Sequence, residues 1–444
     1  MDAFGTRLPH LVTEIPGPRS RALGIRLRAV ESRNVTFLGD HFPVFWDEAL
    51  GANVRDADGN VHLDLTAAFG VALVGHAAPE VVEAVSFQAK RLLHGMGDVH
   101  PPVVKVELLE ALGRILPWPD SRAVLATSGS EAVEIALKTG RIASGRPGVI
   151  AFSGGYHGLT LGALSVTARD TFRRPVAERL FPGVAHLTFP GAAKDPELLA
   201  EFDRILEAGT VSGQVGTVII EPVQARGGVR VVPGWFAEAL MDRVRSHGLV
   251  LIADEIYSGL GRCGAVLASS RVGLDPDIVC LGKVLGGGVP IGVCVAPARI
   301  MDAWPESDGE ALHTSTFLGH PLACAAAGAV LSLVEQGLAD QTEELGRRMI
   351  VGLLDGLTDL IDAGAVEVRG LGLLIGVEVR DGSGAPREAT GVAIAERLLA
   401  VGVLALPAGD TGAVIELSPP VVLTDDQVDF AINAVVRAVR AEVE

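Results

Sequence analysis

The chain has 444 residues, 48% of them hydrophobic, which is enough to build two packed domains around large cores. Its formal net charge of −17 argues against nucleic acid and anionic membrane as partners, and no apolar run is long enough to span a membrane. The four cysteines show no metal-binding or disulfide spacing, so we predict no metal ion. Since the first residues also lack the apolar core of a signal peptide, we predict a cytoplasmic protein.

Short strands are predicted first, over residues 43–65, with turns at Gly51 and at Asp58-Gly59. From residue 77 onward, helical patterns alternate with continuous apolar runs, which is typical of a mainly parallel sheet covered by helices on both faces. Such runs are AVLA (123–126), GVIAF (148–152), GTVIIEP (216–222), LVLIADE (249–255) and DIVCLGK (277–283). Ligands of such sheets bind at the carboxyl ends of the strands.

Residues 332–444 are richer in helical patterns and surround the segment VEVRGLGLLIGVEVR, which favours a more antiparallel α+β arrangement. We therefore predict an α/β protein with two domains. Residues 77–331 form the large one. Residues 1–76 contribute to a small domain, which residues 332–444 complete.

Ser128, Gly129 and Ser130 lie between the AVLAT strand and the helical pattern EAVEIALKTGR. A helix N-terminus offers unpaired N–H groups and a partial positive charge, so a phosphate binds there readily. Gly129 would let the backbone approach, and the two serines would add hydroxyl donors. An ordinary serine N-cap fits the same residues.

Tyr156, one of only two tyrosines, follows the strand GVIAF within the segment GGYHG. Glycines around a tyrosine suggest an aromatic face that stacks on a flat ligand, and a packed loop tyrosine is the alternative. His157 beside it is predicted to make structural hydrogen bonds rather than to carry protons.

Asp254 and Lys283 place opposite charges at two further strand ends. A carboxylate at the end of an apolar strand is costly unless a cation meets it; a protonated pyridine nitrogen would do so, and capping a helix is the alternative. A partly desolvated lysine loses its proton easily and attacks aldehydes, whereas the alternative is a surface lysine beside a tight loop. We therefore predict that Lys283 holds pyridoxal 5'-phosphate (PLP) as a Schiff base.

Taken together, these segments resemble the class III (ω-) aminotransferases of PLP fold type I, from near residue 57 to near residue 424. The matching pieces are TSGSEAVEIALK, GGYHG, EPVQARGG, ADEIYSGLGRCG, PDIVCLGKVLGGGVPIG, TSTFLGHPLA and VRGLGLLIGVE. The resemblance implies a large domain with a mainly parallel seven-stranded sheet, a smaller α+β domain, and a homodimer with active sites at the interface.

The resemblance also implies a role for each matching residue. Gly129 and Ser130 would hold the phosphate, and Tyr156 would stack on the ring. Asp254 would pair with the pyridine nitrogen, and Lys283 would bond to the cofactor. Two residues would assist: Glu221 would support the pocket, and Thr316 would reach the phosphate of the neighbouring subunit.

Four positions depart from the pattern of many relatives. Leu159 stands where many relatives that act on 4-aminobutyrate, ornithine or acetylornithine have an arginine that holds a distal carboxylate. Glu416 stands where they have an arginine that grips the α-carboxylate, and Arg226 where they often have glutamate. Tyr257 stands where glutamine or another residue often meets the 3'-oxygen of the cofactor. We hypothesise that Arg226 and Glu416 form the ion pair of those relatives with the charges exchanged; two unrelated surface changes are the alternative.

The predicted reaction is transfer of an amino group from an amine or amino acid to a keto acid. Because Leu159 replaces an arginine, we predict no selectivity for a distal carboxylate. The alternative is an amino acid racemase or epimerase of the same fold, which returns the proton to the substrate carbon. A decarboxylating aminotransferase and a PLP-binding regulator without turnover are more distant possibilities.

Overall fold

The computed structural model describes residues 3–39 and 42–443, which divide into two units. The large unit comprises residues 79–344 and 370–372. The small unit comprises the other described residues, from the N-terminal segment up to 78 and from 345–369 and 373 onward.

The strands are short, and most of those in the large sheet follow apolar runs of the sequence. They are β1 (Trp46–Leu50), β2 (Asn53–Asp56), β3 (Val61–Asp64), β4 (Ser121–Ala126), β5 (Gly148–Phe152), β6 (Val184–Leu187), β7 (Val215–Ile220), β8 (Val223–Gln224), β9 (Arg230–Val231), β10 (Val250–Asp254), β11 (Ile278–Leu281), β12 (Gly292–Pro297), β13 (Val366–Leu371), β14 (Leu374–Val379), β15 (Val403–Leu404), β16 (Leu406–Ala408) and β17 (Val414–Leu417).

Helices separate most of these strands. They are α1 (Pro18–Val30), α2 (Ala67–Gly70), α3 (Pro79–Ala89), α4 (Val103–Ile115), α5 (Gly129–Ser144), α6 (Leu161–Val166), α7 (Asp170–Arg173), α8 (Pro196–Ala208), α9 (Gly234–His247), α10 (Ala268–Val272), α11 (Ala298–Met301), α12 (Pro321–Glu335), α13 (Leu338–Gly356), α14 (Thr358–Asp362), α15 (Thr390–Ala400) and α16 (Asp425–Val443).

The large unit contains a seven-stranded sheet in the order β4-β12-β11-β10-β7-β5-β6. The ladders from β11 through β10, β7 and β5 to β6 are parallel, whereas β12 runs antiparallel to both of its neighbours. Strands β5, β7, β10 and β11 are buried along their whole length. This explains why they read as continuous apolar runs rather than as an alternation of polar and apolar residues.

Two hydrophobic cores cover the two faces of this sheet. Along β5, Ile150 and Phe152 point into one core, where Phe152 packs edge-to-face on Phe236 of α9, whereas Val149 and Ala151 point into the other. Since successive strand residues face opposite sides, this alternation places a helical layer on each face. Helix α5 supplies much of the second layer.

The small unit contains two four-stranded sheets, in the orders β1-β2-β3-β15 and β13-β14-β17-β16. In the first, β1, β2 and β3 are antiparallel and β15 joins β3 in parallel; in the second, β17 is antiparallel to both β14 and β16. Across residues 3–39 and 42–443, no single helix is long and apolar enough to cross a membrane; one pair, Pro321–Glu335 with Leu338–Gly356, reaches the required length only across a 69° bend.

Candidate active site

A cavity of about 320 Å³ lies where β4, β5, β7, β10 and β11 of the large unit end. It is lined by Gly129, Ser130, Tyr156, His157, Gly158, Leu159, Glu221, Arg226, Asp254, Ile256, Tyr257 and Lys283. Ten of the thirteen residues predicted as site residues are among these. The sheet thus brings together side chains that lie more than 150 residues apart in sequence.

The N-terminus of α5 forms one end of the cavity. Ser128 has extended backbone angles, and its Oγ accepts a hydrogen bond of 3.2 Å from the N–H of Glu131, so this serine is an N-cap and does not line the cavity. Gly129 is the first helical residue, and a Cβ there would lie 2.9 Å from Ile256. The free N–H groups of this first turn point to where an anion binds.

Ser130 is held in place by residues that the sequence analysis did not identify. Its Oγ lies 2.7 Å from Oγ1 of Thr160, which in turn donates a hydrogen bond of 2.6 Å to Oε1 of Glu134. Gly158 lies directly beside this serine, since a Cβ at Gly158 would lie 2.3 Å from Oγ of Ser130, and its φ of +119° also favours glycine. These contacts shape a narrow cradle around the helix N-terminus.

Asp254 and His157 form a buried pair on the floor of the cavity. Oδ2 of Asp254 lies 2.7 Å from Nδ1 of His157, and the main-chain N–H of His157 donates a bond of 2.9 Å to Oγ1 of Thr167. Burial by itself lowers the pKa of His157, but the hydrogen bond and charge of Asp254 raise that pKa overall. Since a carboxylate accepts several hydrogen bonds, Asp254 can still meet a further N–H donor.

Glu221 follows β7 and is also buried. Its Oε1 accepts a hydrogen bond of 2.9 Å from the main-chain N–H of Tyr156, which fixes the loop after β5. Burial raises the pKa of Glu221 to about 7, with the neighbouring His157 opposing that rise and Asp254 adding to it. This carboxyl group therefore titrates near neutral pH.

We expect Glu221→Gln to weaken the pH dependence of stability. Because the pKa of Glu221 is raised in the fold, from 4.5 to about 7, the folded state holds its proton longer than the unfolded state. Its contribution to stability is therefore present below pH 4.5 and is lost as pH rises to about 7, at about 1.4 kcal/mol for each unit of difference. The free energy of unfolding, measured with urea, should decline less between pH 4.5 and pH 7.5 in the variant than in the wild-type protein. An equal decline in both proteins would contradict the raised pKa of Glu221.

Lys283 comes two residues after β11 and has a φ of +43°, a backbone conformation that residues other than glycine rarely adopt. Such strained residues concentrate at functional sites, where the surrounding structure holds them. The Nζ atom of Lys283 lies 3.4 Å from the centroid of the Tyr257 ring, so the aromatic face positions the amine.

The residues present fit PLP. The amine of Lys283 lines one side of the cavity, the buried carboxylate of Asp254 lies on its floor, and the N-terminus of α5 forms one end. These groups are complementary to an aldehyde, a protonated pyridine nitrogen and a phosphate, respectively.

The other predicted residues lie at the rim or elsewhere. Leu159 is 48% exposed at the edge of the cavity, and Arg226 is half-buried in its wall. Thr316 is exposed and does not line the cavity. Glu416 lies on β17 in the small unit and is buried, so reading it as a surface change was wrong; its pairing with Arg226 stays a prediction.

Comparison with known proteins finds aminotransferases. Residues 37–439 match the sequence model of the family described as aminotransferase class-III. The acetylornithine aminotransferase of Methanopyrus kandleri is 37% identical over 401 residues, which are 90% of this chain and 95% of that protein. The 4-aminobutyrate aminotransferase of Mycobacterium tuberculosis is 35% identical over 445 residues, 96% of this chain and 97% of that protein.

A crystal structure of an amine transaminase from an uncultivated Pseudomonas species, in its PLP-bound form, has the same fold. It superimposes with a TM-score of 0.81 at 29% sequence identity, covering 93% of this chain and 98% of that one.

Proposed function

We propose that Lys283 and the cavity around it carry out the amino transfer of this enzyme, since the chain belongs to the class-III aminotransferases. The family, the fold type and the PLP cofactor predicted from the sequence are thereby confirmed, as is the transfer of amino groups to keto acids. The roles of individual residues and the preferred substrates are our proposal.

Bound in this cavity, PLP supplies an aldehyde that takes up the amino group and a ring that withdraws electrons from the reacting carbon. Lys283 would be the residue that bonds to the cofactor, and its amine would serve as the acid–base group that moves the proton at the substrate carbon. The contact between Nζ of Lys283 and the ring of Tyr257 supports this assignment, because it holds the amine inside the cavity.

The remaining polar residues bind and orient. The carboxylate of Asp254 holds the proton on the pyridine nitrogen, and His157 fixes the orientation of that carboxylate through the bond of 2.7 Å. The main-chain N–H groups of Gly129 and Ser130 bind the phosphate, and Tyr156 stacks on the ring. Glu221 holds the main chain of Tyr156 at 2.9 Å.

Leu159 supports a preference for substrates without a distal carboxylate. An exposed apolar side chain at the rim offers no charge to a carboxylate far from the reacting amine, so substrates with such a carboxylate gain little there. The related proteins named above are acetylornithine and 4-aminobutyrate aminotransferases, and we propose that this enzyme differs from them in its donor.

We also propose a cytoplasmic homodimer with Thr316 reaching the phosphate of the neighbouring subunit. Exposed large apolar side chains concentrate between residues 82 and 106 of the large unit and recur near Thr316, as expected of a surface that a partner covers. They are Val82, Phe87, Leu92, Leu93, Met96, Val99, Val103, Val106, Leu312 and Phe317. The four free, buried cysteines are consistent with a reducing compartment.

Mixing the PLP form of the enzyme with single amines and amino acids, without an acceptor, tests the function. We expect the absorbance of the PLP form to disappear as the amino group moves to the cofactor, and a keto acid to restore it. Loss of the optical purity of the substrate with an unchanged cofactor spectrum would instead establish the racemase alternative. An unreactive cofactor across a broad panel would contradict both.

A further inference from the structure

His313 reattaches a long exposed loop to the large unit. The loop begins near Trp304, whose Nε1 donates a hydrogen bond of 3.0 Å to Oγ1 of Thr139 in α5, and residues 305–312 after it are all exposed. His313 is the next residue that is partly buried, with 12% of its side chain exposed. Its position therefore decides where the chain continues toward Thr316, three residues further on.

The imidazole of His313 lies between two residues of α5. Its Nδ1 lies 3.1 Å from Nζ of Lys138, and its Nε2 lies 3.4 Å from Oε1 of Glu131. Because an ammonium group can only donate, Nδ1 accepts, and Nε2 carries the hydrogen that is directed at the carboxylate. Both ring nitrogens therefore hold the loop on the helix.

Glu131 connects this contact to the N-terminal turn of α5. Its Oε2 accepts hydrogen bonds of 2.6 Å from the main-chain N–H of Thr127 and 2.7 Å from Oγ1 of Thr127. Burial alone would raise the pKa of Glu131, but the bonds from Thr127 and the contact with His313 lower that pKa overall. One carboxylate thus fixes both the turn that leads into α5 and the ring of His313.

The loop that carries Thr316 is also held from a second side. Oγ1 of Thr314 donates a hydrogen bond of 2.7 Å to Oδ2 of Asp98, and a Cβ at Gly97 would overlap the carbonyl oxygen of Leu318. Thr316 lies between these contacts and is exposed. Its hydroxyl is therefore presented outward by a stretch of chain that is fixed on both sides.

We propose that His313 is a positioning residue for Thr316, which in turn binds the phosphate of the cofactor in the neighbouring subunit. The contacts with Glu131 and Lys138 set where the loop leaves α5, and hence how far Thr316 projects. A hydrogen bond to a charged phosphate is strong but depends on geometry, so a displaced hydroxyl loses it. This inference rests on the proposed function, in which Thr316 completes a neighbouring site, and adds the residue that orients Thr316.

Release of PLP from the holoenzyme, measured by dialysis against buffer without PLP, tests the proposal. We expect Thr316→Val and His313→Ala each to speed release roughly 10-fold, the usual effect of losing one hydrogen bond to a charged group. His313→Gln keeps a donor for Glu131 and an acceptor for Lys138, so it should restore most of the slow release.

The double variant decides between positioning and general stabilisation. If His313 acts only through Thr316, the variant with both substitutions should release PLP no faster than Thr316→Val alone. Effects that multiply would mean that His313 only stabilises the fold, and would overturn the proposal. Unchanged release in His313→Ala, with faster release in Thr316→Val, also overturns it. Unchanged release in Thr316→Val contradicts the proposed role of that residue, and this inference falls with it.

Hydrogen exchange reads the loop directly and does not depend on the cofactor. Exchange in the peptide that spans residues 305–318 should rise in His313→Ala but not in Thr316→Val, because only the first substitution removes an attachment of the loop. Exchange that does not rise in His313→Ala contradicts the proposal. His247→Ala, at an exposed position at the end of α9, is the control and should match the wild-type protein in both measurements.

Discussion

Lys283→Ala is expected to lower the rate of amino transfer by roughly 10²- to 10⁴-fold, the usual contribution of a positioned acid–base group, with a further loss from the missing covalent bond to the cofactor. The variant should still bind PLP through the helix N-terminus and Asp254, but denaturation should release all of it. Borohydride treatment of the wild-type enzyme should fix the cofactor to the peptide that contains Lys283.

The chain offers few competing amines, which sharpens this experiment. Its lysines are Lys90, Lys105, Lys138, Lys194 and Lys283. Lys194 is exposed, and Lys194→Ala is the matched control, expected to keep full activity. A reduced adduct that maps to any other lysine would end the case for Lys283.

Asp254→Asn is expected to slow the single-turnover reaction by roughly 10²- to 10³-fold. The buried carboxylate at the end of β10 is replaced by a neutral amide, so nothing keeps the proton on the pyridine nitrogen and the ring withdraws electrons less strongly. His157 also loses the anion that raises its pKa, so its pKa should fall below that in the wild-type enzyme. Stopped-flow absorbance measures the rate, and NMR titration of the histidine measures the second effect.

Asp277→Asn is the control for losing a half-buried acid next to a strand of the same sheet. Asp277 precedes β11 at the opposite edge of the sheet, where it accepts a hydrogen bond of 3.1 Å from the N–H of Leu251 and pairs with Arg299 at 2.9 Å. We expect it to lower stability without slowing the chemistry. If the two variants slow the reaction equally, Asp254 acts through the fold and has no special role at the cofactor.

Of the seven strands in the large sheet, the sequence predicted five and missed β6 and β12. The run GVIAF is buried at every position and coincides with β5. Strand β6 has only four residues, mostly half-buried and including His186, and β12 ends in a proline after a glycine-rich loop. Length and burial, which carry the signal of a parallel strand, are weak in β6. Strand β12 is buried over all six residues but runs antiparallel and directly follows a glycine-rich loop.

The sequence predicted the site residues whose type is dictated by their chemistry. It did not predict the residues whose contacts depend on the path of the backbone. An amine and a carboxylate at strand ends are visible in the sequence, so Lys283 and Asp254 stood out. The support of Ser130 by Thr160 and Glu134 depends on how the loop after β5 turns at Gly158, with its φ of +119°. Such long-range contacts leave no periodic trace in the sequence.

The antiparallel strand β12 fixes the distance between β4 and β11. It lies between β4, which leads into α5, and β11, which leads to Lys283, so β4 and β11 are two interstrand spacings apart, roughly 10 Å. At its first residue, Gly292, an added Cβ would lie 2.4 Å from the carbonyl oxygen of Ser128, so the main chain of β12 packs closely against the turn that leads into α5. The main-chain hydrogen bonds of β12 to both neighbours therefore set the distance between β4 and β11. Substitutions in the walls of the cavity can change which amine binds. An analogue of PLP with a longer link between its ring and its phosphate should not bind.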